Sequence, residues 1–218
     1  ALRALSEPAL ERVLAELPAL AFPDRERWMD ELRRAAATMR ALRAKADQAL
    51  QGPKSGRDPD IAKAWVPTLG TMSEKLEALS DLLAAQIKLA DPVVDQLMAV
   101  KQLAWSARDF GGRERLFIGN ALASGSAPAA DWHKQVADLR SRRLAAWDAV
   151  VDLLAGAPVP APLAQAITKA KDGYFGAFSK EQESIVATLA AGQKPSVTGA
   201  AWVQMSNPPL ELLAAPAN

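Results

Sequence analysis

The chain has 218 residues, a net charge of +1 and no cysteine, and it is 50% hydrophobic and 23% charged. Basic residues are interspersed with acidic ones, so no global field draws nucleic acid or an anionic membrane. The missing thiols exclude disulfides, thiol catalysis and cysteine-metal sites.

Alanine leads the composition, with leucine, arginine, glutamate and lysine behind it, all strong helix formers. With one Tyr, five Phe and few β-branched runs, strand-forming material is scarce. The chain reads as all-α. Residues 1–20 carry a short helical pattern with Ser6 as N-cap and Pro8 in the first turn, ended by Pro18 and Pro23. A second helix starts at Asp24 as N-cap, with Trp28, Leu32, Ala35, Met39, Leu42, Ala46 and Ala49 as its apolar stripe. "QGPKSGRDPD" (51–60) is a turn-rich loop. A short helix at 61–66 precedes Pro67. Leu69, Met72, Leu76, Leu79, Leu83, Ile87 and Ala90 mark the next one.

Asp91-Pro92 restarts the chain as N-cap and first helical residue. The pattern then runs to about Ser124, through the adjacent Gly111 and Gly112, which cost a helix about 1–2 kcal/mol relative to alanines. "SGSAP" (124–128) is a loop. Trp132, Val136, Leu139, Arg143, Ala146, Val150 and Leu153 form one stripe. After "GAPVPAP", Leu163, Ile167, Ala170, Tyr174, Phe178, Glu181, Ile185 and Leu189 form another, ending near Gly192. In it Gly173 and Gly176 make room beside Tyr174 and Phe178. A last helix carries Trp202 and Met205 and is expected to break at "NPP" (207–209).

Stripes spaced by threes and fours favour the shallow crossings of four-helix bundles. Helices of this length span about 40–50 Å. Two four-helix-type bundles stacked end to end and sharing long helices are expected, with a boundary that the sequence does not fix. No run is long and apolar enough to span a membrane and no signal peptide is visible. The chain starts at Ala1 without Met, so it is expected to be an excised fragment.

Catalytic material is sparse. The single His133 is expected as a polar helix-face residue, and no phosphate-cradling glycine loop occurs. No metal site, cofactor or catalytic group is expected. Glu114, between Arg113 and Arg115, reads as part of a solvated, salt-bridging helix face.

Cations cluster on the helix through the glycine pair. Lys101, Trp105, Arg108, Gly112 and Arg115 share one stripe. Beside it lies an apolar stripe of Val100, Leu103, Ala107, Phe110, Phe117 and Ala121. The helix over 132–154 offers His133, Arg140, Arg143 and Trp147. Two readings stay open. The glycines allow close helix packing while the arginines pair with Glu114, Asp109 or Asp138. Alternatively they open room in which Arg108, Arg115, Arg113, Lys101, Trp105 and Arg140 hold a small anion.

"VKQLAWSARDFGGRERLFIGNALASG", "RRLAAWDAV" and the late "AAWVQMSNPPLELL" together resemble the extracytoplasmic sensor regions of bacterial transmembrane receptors. They are similar to those of alphaproteobacterial sensor histidine kinases and chemoreceptors, and "GRER" resembles the helical nitrate/nitrite-sensing and helical bimodular classes. The resemblance covers about residues 90–215. It implies one periplasmic sensor module over 1–218 of an inner-membrane protein, usually dimeric, whose membrane helices and output module lie outside this chain. It implies a small anionic ligand, nitrate-like or a carboxylate, with Arg108, Arg113 and Arg115 matching the arginine-rich motif. The parent would be a two-component histidine kinase, or else a chemoreceptor or diguanylate cyclase. A helical protein–protein adaptor is the reading of another class.

Overall fold

The computed structural model describes residues 2–88, 91–124 and 128–217 and is all-α, with no strand among them. Ala90 and residues 125–127 of the expected loop lie outside this set. No helix of the described residues is long and apolar enough to cross a membrane.

The chain forms two compact units, 1–90 and 91–218. Their division falls between helices, so the expected sharing of long helices by two bundles is not what the chain does. The first unit contains α1 (Leu2–Glu16), α2 (Arg25–Gln51) and α3 (Pro59–Ile87). Met29, Leu32, Ala36 and Met39 of α2 meet Met72 and Leu79 of α3, with Leu10 and Leu17, in one apolar cluster. Glu7 of α1 ties to Arg40 and, at 3.0 Å, to Arg43 of α2.

Three local expectations fail in this unit. Helix α1 begins before Ser6 and carries Pro8 inside it. Asp24 precedes α2 in a left-handed conformation (φ 55°) and makes no side-chain cap. The helix at 61–66 does not end at Pro67: α3 runs through that proline as one element, capped by the Asp58 carboxylate accepting from the Asp60 N–H at 2.9 Å. A proline inside a helix forfeits one backbone bond. Here the apolar face that follows it, Leu69, Met72, Leu76, Leu79 and Leu83, packs in the core of the unit and outweighs the loss.

The second unit is built around α4 (Pro92–Ser124), which packs chiefly against α5 (Trp132–Leu154) and α8 (Gly199–Ala214). Its N-terminus is as expected: Asp91 Oδ1 accepts from the N–H groups of Val93 (2.8 Å) and Val94 (3.3 Å). Between α5 and α8 runs one continuous helical rod: α6 (Ala161–Ala170), a π-helical segment (Lys171–Phe178) and α7 (Ser179–Ala190). The wider π turn occupies the place where Gly173 and Gly176 were expected to make room. Helix α8 is unbroken through Pro208 and Pro209, against expectation, because Trp202, Ser206, Leu210 and Leu213 bury one face along its length.

The buried seam of α4 is Val100, Ala104, Ala107, Gly111, Glu114, Ile118 and Ala121, spaced alternately by four and three. A glycine and a glutamate thus occupy core positions of a bundle repeat. At Gly111 an added Cβ would lie 3.0 Å from the Tyr174 hydroxyl, 3.1 Å from Leu210 and 3.3 Å from Leu213. The missing side chain is what lets the π segment and α8 close on α4.

Candidate functional site

The six cationic and aromatic residues expected to share a ligand are divided by the structure into separate settings. Arg108 and Arg115 both reach from α4 to α8. The Arg108 guanidinium lies over the Trp105 ring, 5.6 Å from its centroid, and its Nη2 is 3.7 Å from Glu211 Oε1. It reaches across Gly112, where an added Cβ would make only an ordinary 3.5 Å contact with Arg108 Nη1. Arg115 is half-buried and its Nη1 donates to Asn207 Oδ1. Burial and the neighbouring charge of Arg108 both hold the Arg115 guanidinium below its ordinary pKa, with Glu211 opposing them. Their partners, Asn207 and Glu211, stand one turn apart on α8, so the two guanidiniums reach the same stretch of that helix.

The partners come from α8. Asn207 uses its carbonyl on Arg115, which leaves its amide N–H groups for another acceptor. Glu211 is mostly exposed and stands at the outer limit of an ion pair with Arg108, so it compensates the pair only weakly. Trp202, fully buried on α8, donates its indole N–H to the Arg115 carbonyl at 2.9 Å, and Gly119 gives the ring its space. This contact fixes α8 against α4 at Arg115 itself.

The other expected residues lie elsewhere. Arg113 is exposed and pairs with Asp109 at 2.8 Å. Lys101 is half-buried two turns before Arg108 and about 21 Å along the axis from Arg115, too far to share a small ligand with it. Arg140 donates from Nε to Glu114 Oε1 at 3.0 Å. It belongs to a different cluster.

In that cluster Glu114 is not the solvated residue expected from its charged neighbours. It is completely buried. Arg143 of α5, 2% exposed, donates from Nη1 to Glu114 Oε2, to the Tyr174 hydroxyl at 2.9 Å and to Gln182 Oε1 at 3.3 Å. Its guanidinium also stacks 5.0 Å from the Tyr174 ring centroid. Four elements, α4, α5, the π segment and α7, meet at these side chains. Burial pushes the Glu114 carboxyl above its ordinary range, while Arg143 and Arg140 pull it back and Gln182 acts in the same sense. Sequence reasoning passed over Glu114, Tyr174 and Gln182 as functional residues. The available signal was a charge at a core position of each of two neighbouring helices.

Burial is also the main cause that raises the Tyr174 hydroxyl from 10.0 to about 12, aided by Glu114 and opposed by Arg143. Tyr174 is the only tyrosine of the chain, so tyrosinate absorbance reports it alone. The folded protein is expected to form tyrosinate around pH 12, and the denatured chain around pH 10. The folded value is the higher one, so this contribution to stability is complete below pH 10 and lost as pH rises through 12. A folded-state midpoint near 10 would mean that Tyr174 is not enclosed as described.

Among the described residues no group of three or more His, Asp or Glu is gathered to hold a metal ion. The Arg108–Arg115 pair offers charge and hydrogen-bond donors, which suits binding of an anion better than bond-making. Comparisons with protein-family models, curated proteins and solved structures find no match to this chain.

Proposed function

We propose that this chain is the ligand-sensing extracytoplasmic domain of a two-component sensor histidine kinase and performs no catalysis itself. A small anion, nitrate-like or a carboxylate, is held at the α4–α8 seam. The observation that carries the reading is that two like charges, Arg108 and Arg115, reach side chains one turn apart on α8, Glu211 and Asn207, while the Glu211 carboxylate stands 3.7 Å from Arg108 and mostly exposed. An anion between them relieves their repulsion, draws bidentate hydrogen bonds from planar guanidiniums and accepts from the Asn207 amide. The likeness of "AWSARDFGGRER" to receptor sensor regions supplies the biological setting: a periplasmic module of a membrane-anchored, dimeric parent. The same module on a chemoreceptor or diguanylate cyclase would bind alike and differ in its output domain.

The ligand contacts come from two helices, so binding would act on their relative position. An anion that competes with Glu211 for Arg108 and pulls on Asn207 would displace α8 along α4 by an ångström or two, the scale on which helical receptors switch.

Thermal melting with nitrate, nitrite, acetate and other small carboxylates tests the reading. An anion at about 100 times its dissociation constant is expected to add about 2.7 kcal/mol, or about 5–10 °C for a chain of this size. Arg108→Ala and Arg115→Ala should each abolish the shift. A shift that survives both substitutions places the ligand elsewhere, and no shift with any anion removes the binding proposal.

A further inference from the structure

Pro208 and Pro209 stand inside α8, between Asn207 and Glu211, the two α8 residues that the arginines reach. Proline carries no N–H. The carbonyls of Gln204 and Met205 therefore receive no helical bond from the positions four residues on. Two successive rungs of the backbone ladder are missing at one level, and the proline rings crowd the same carbonyls. The helix continues across this gap because each half packs on its own.

The two halves have separate seats. Before the prolines, Thr198 caps the helix by accepting from the Ala201 N–H at 3.2 Å. The Trp202 ring fills the space at Gly119, and its indole N–H donates to the Arg115 carbonyl at 2.9 Å. The Ser206 hydroxyl donates back to the Trp202 carbonyl at 2.6 Å. After the prolines, Leu210 and Leu213 close on Gly111 of α4, and Leu212 presses on Gly173 of the π segment so tightly that no side chain would fit there. The distal half is thus held by apolar seats, with Glu211 paired loosely to Arg108 at 3.7 Å. We propose that α8 is a jointed helix, in which residues 210–214 shift on α4 and the π segment separately from residues 199–207, with the joint at Pro208–Pro209. Helices bend where their ladder is interrupted, and packed apolar surfaces allow small sliding shifts. Its regulatory consequence rests on the anion reading: an anion that draws Arg108 from Glu211 acts on the distal half, while Trp202 keeps the proximal half fixed at Arg115.

Amide hydrogen exchange of the anion-free protein, resolved by NMR, tests the joint before any ligand is involved. The N–H groups of residues 210–214 are expected to exchange at least about tenfold faster than those of 203–207, with a step at the prolines. Fraying from the helix end would give a gradual rise toward Ala217 instead. Pro208→Ala/Pro209→Ala restores both missing donors and is expected to erase the step by slowing the distal amides. Sodium nitrate or sodium acetate, whichever raises the melting temperature, is then expected to change exchange at 210–214 by about threefold or more and leave 203–207 within about twofold. A graded profile in the wild type, or a step that survives the double substitution, would overturn the joint. Equal responses of the two halves to a stabilising anion would overturn the coupling and leave the anion site standing. Absence of any stabilising anion counts against the site and the coupling, whereas the step at the prolines is read without one.

Discussion

Glu114→Ala is expected to lower the stability of the second unit by about 3–5 kcal/mol, a fall of about 6–20 °C in melting temperature. The carboxylate is wholly buried and is the anionic partner of Arg143, which is 2% exposed. Removing it strands a guanidinium in the core beside the Tyr174 ring and leaves a cavity at a seam position of α4. The desolvation already spent on Arg143 is then uncompensated, and that drives the loss more than the pair's attraction does. Two controls separate this from simple truncation. Glu114→Gln keeps the volume and one acceptor oxygen but loses the charge and turns an N–H donor toward one of the arginines, and should fall between wild type and Glu114→Ala. Glu114→Leu with Arg143→Met removes both charges and should be more stable than Glu114→Leu alone. If Glu114→Ala melts within 2 °C of wild type, about the effect of 1 kcal/mol or less, the burial of this charge pair is refuted.

The two adjacent glycines are expected to respond with opposite signs. Gly112→Ala should stabilise by about 0.5–1 kcal/mol, because alanine is the better helix former and its methyl meets only Arg108 Nη1 at 3.5 Å. Gly111→Ala gains the same propensity but drives its methyl to 3.0–3.3 Å from Tyr174, Leu210 and Leu213. None of these can retreat. Tyr174 is bound to Arg143, and both leucines are in the core. Overpacking of this kind costs about 1–3 kcal/mol, so a net loss of about 1–2 kcal/mol is expected for alanine, and more for Gly111→Val. Urea denaturation of the two variants measures the contrast. Stabilisation by both substitutions would show that α4, the π segment and α8 do not close at Gly111.

The helix-rich class and most long helices could be read from composition and the three-four spacing. The departures have local physical causes. Pro67, Pro208 and Pro209 are helix breakers by their own chemistry, and only the apolar faces of α3 and α8 override them. The stripe expected on the 161–190 rod placed Glu181 inward where the structure buries Gln182. Ala170, Tyr174, Phe178 and Gln182 recur every four residues, a spacing that an ordinary helix rotates off one face and the π turn keeps on it. Glu114 was read as solvated because Arg113 and Arg115 flank it. Helical neighbours one apart face different directions, however, and its position in the four-three seam was the better guide. Arg143 stood on the expected stripe of α5, between Val136 and Ala146, where a buried cation demands a partner. Of the cationic stripe, only Trp105, Arg108 and Arg115 stayed together. Stripe membership says nothing about reach, and Lys101 is two turns away.

The central claim is that Arg108 and Arg115 together hold an anion at the α4–α8 seam, and calorimetric titration of the most stabilising anion tests it most directly. One site per chain is expected in the wild type, with affinity at least about tenfold weaker in Arg108→Ala and in Arg115→Ala, the weakening expected when a charged hydrogen bond worth about 1.5–3 kcal/mol is removed. Arg113→Ala, which touches neither partner, should bind as the wild type does. Undiminished binding in both the Arg108→Ala and Arg115→Ala variants, or a loss in Arg113→Ala alone, would contradict the claim.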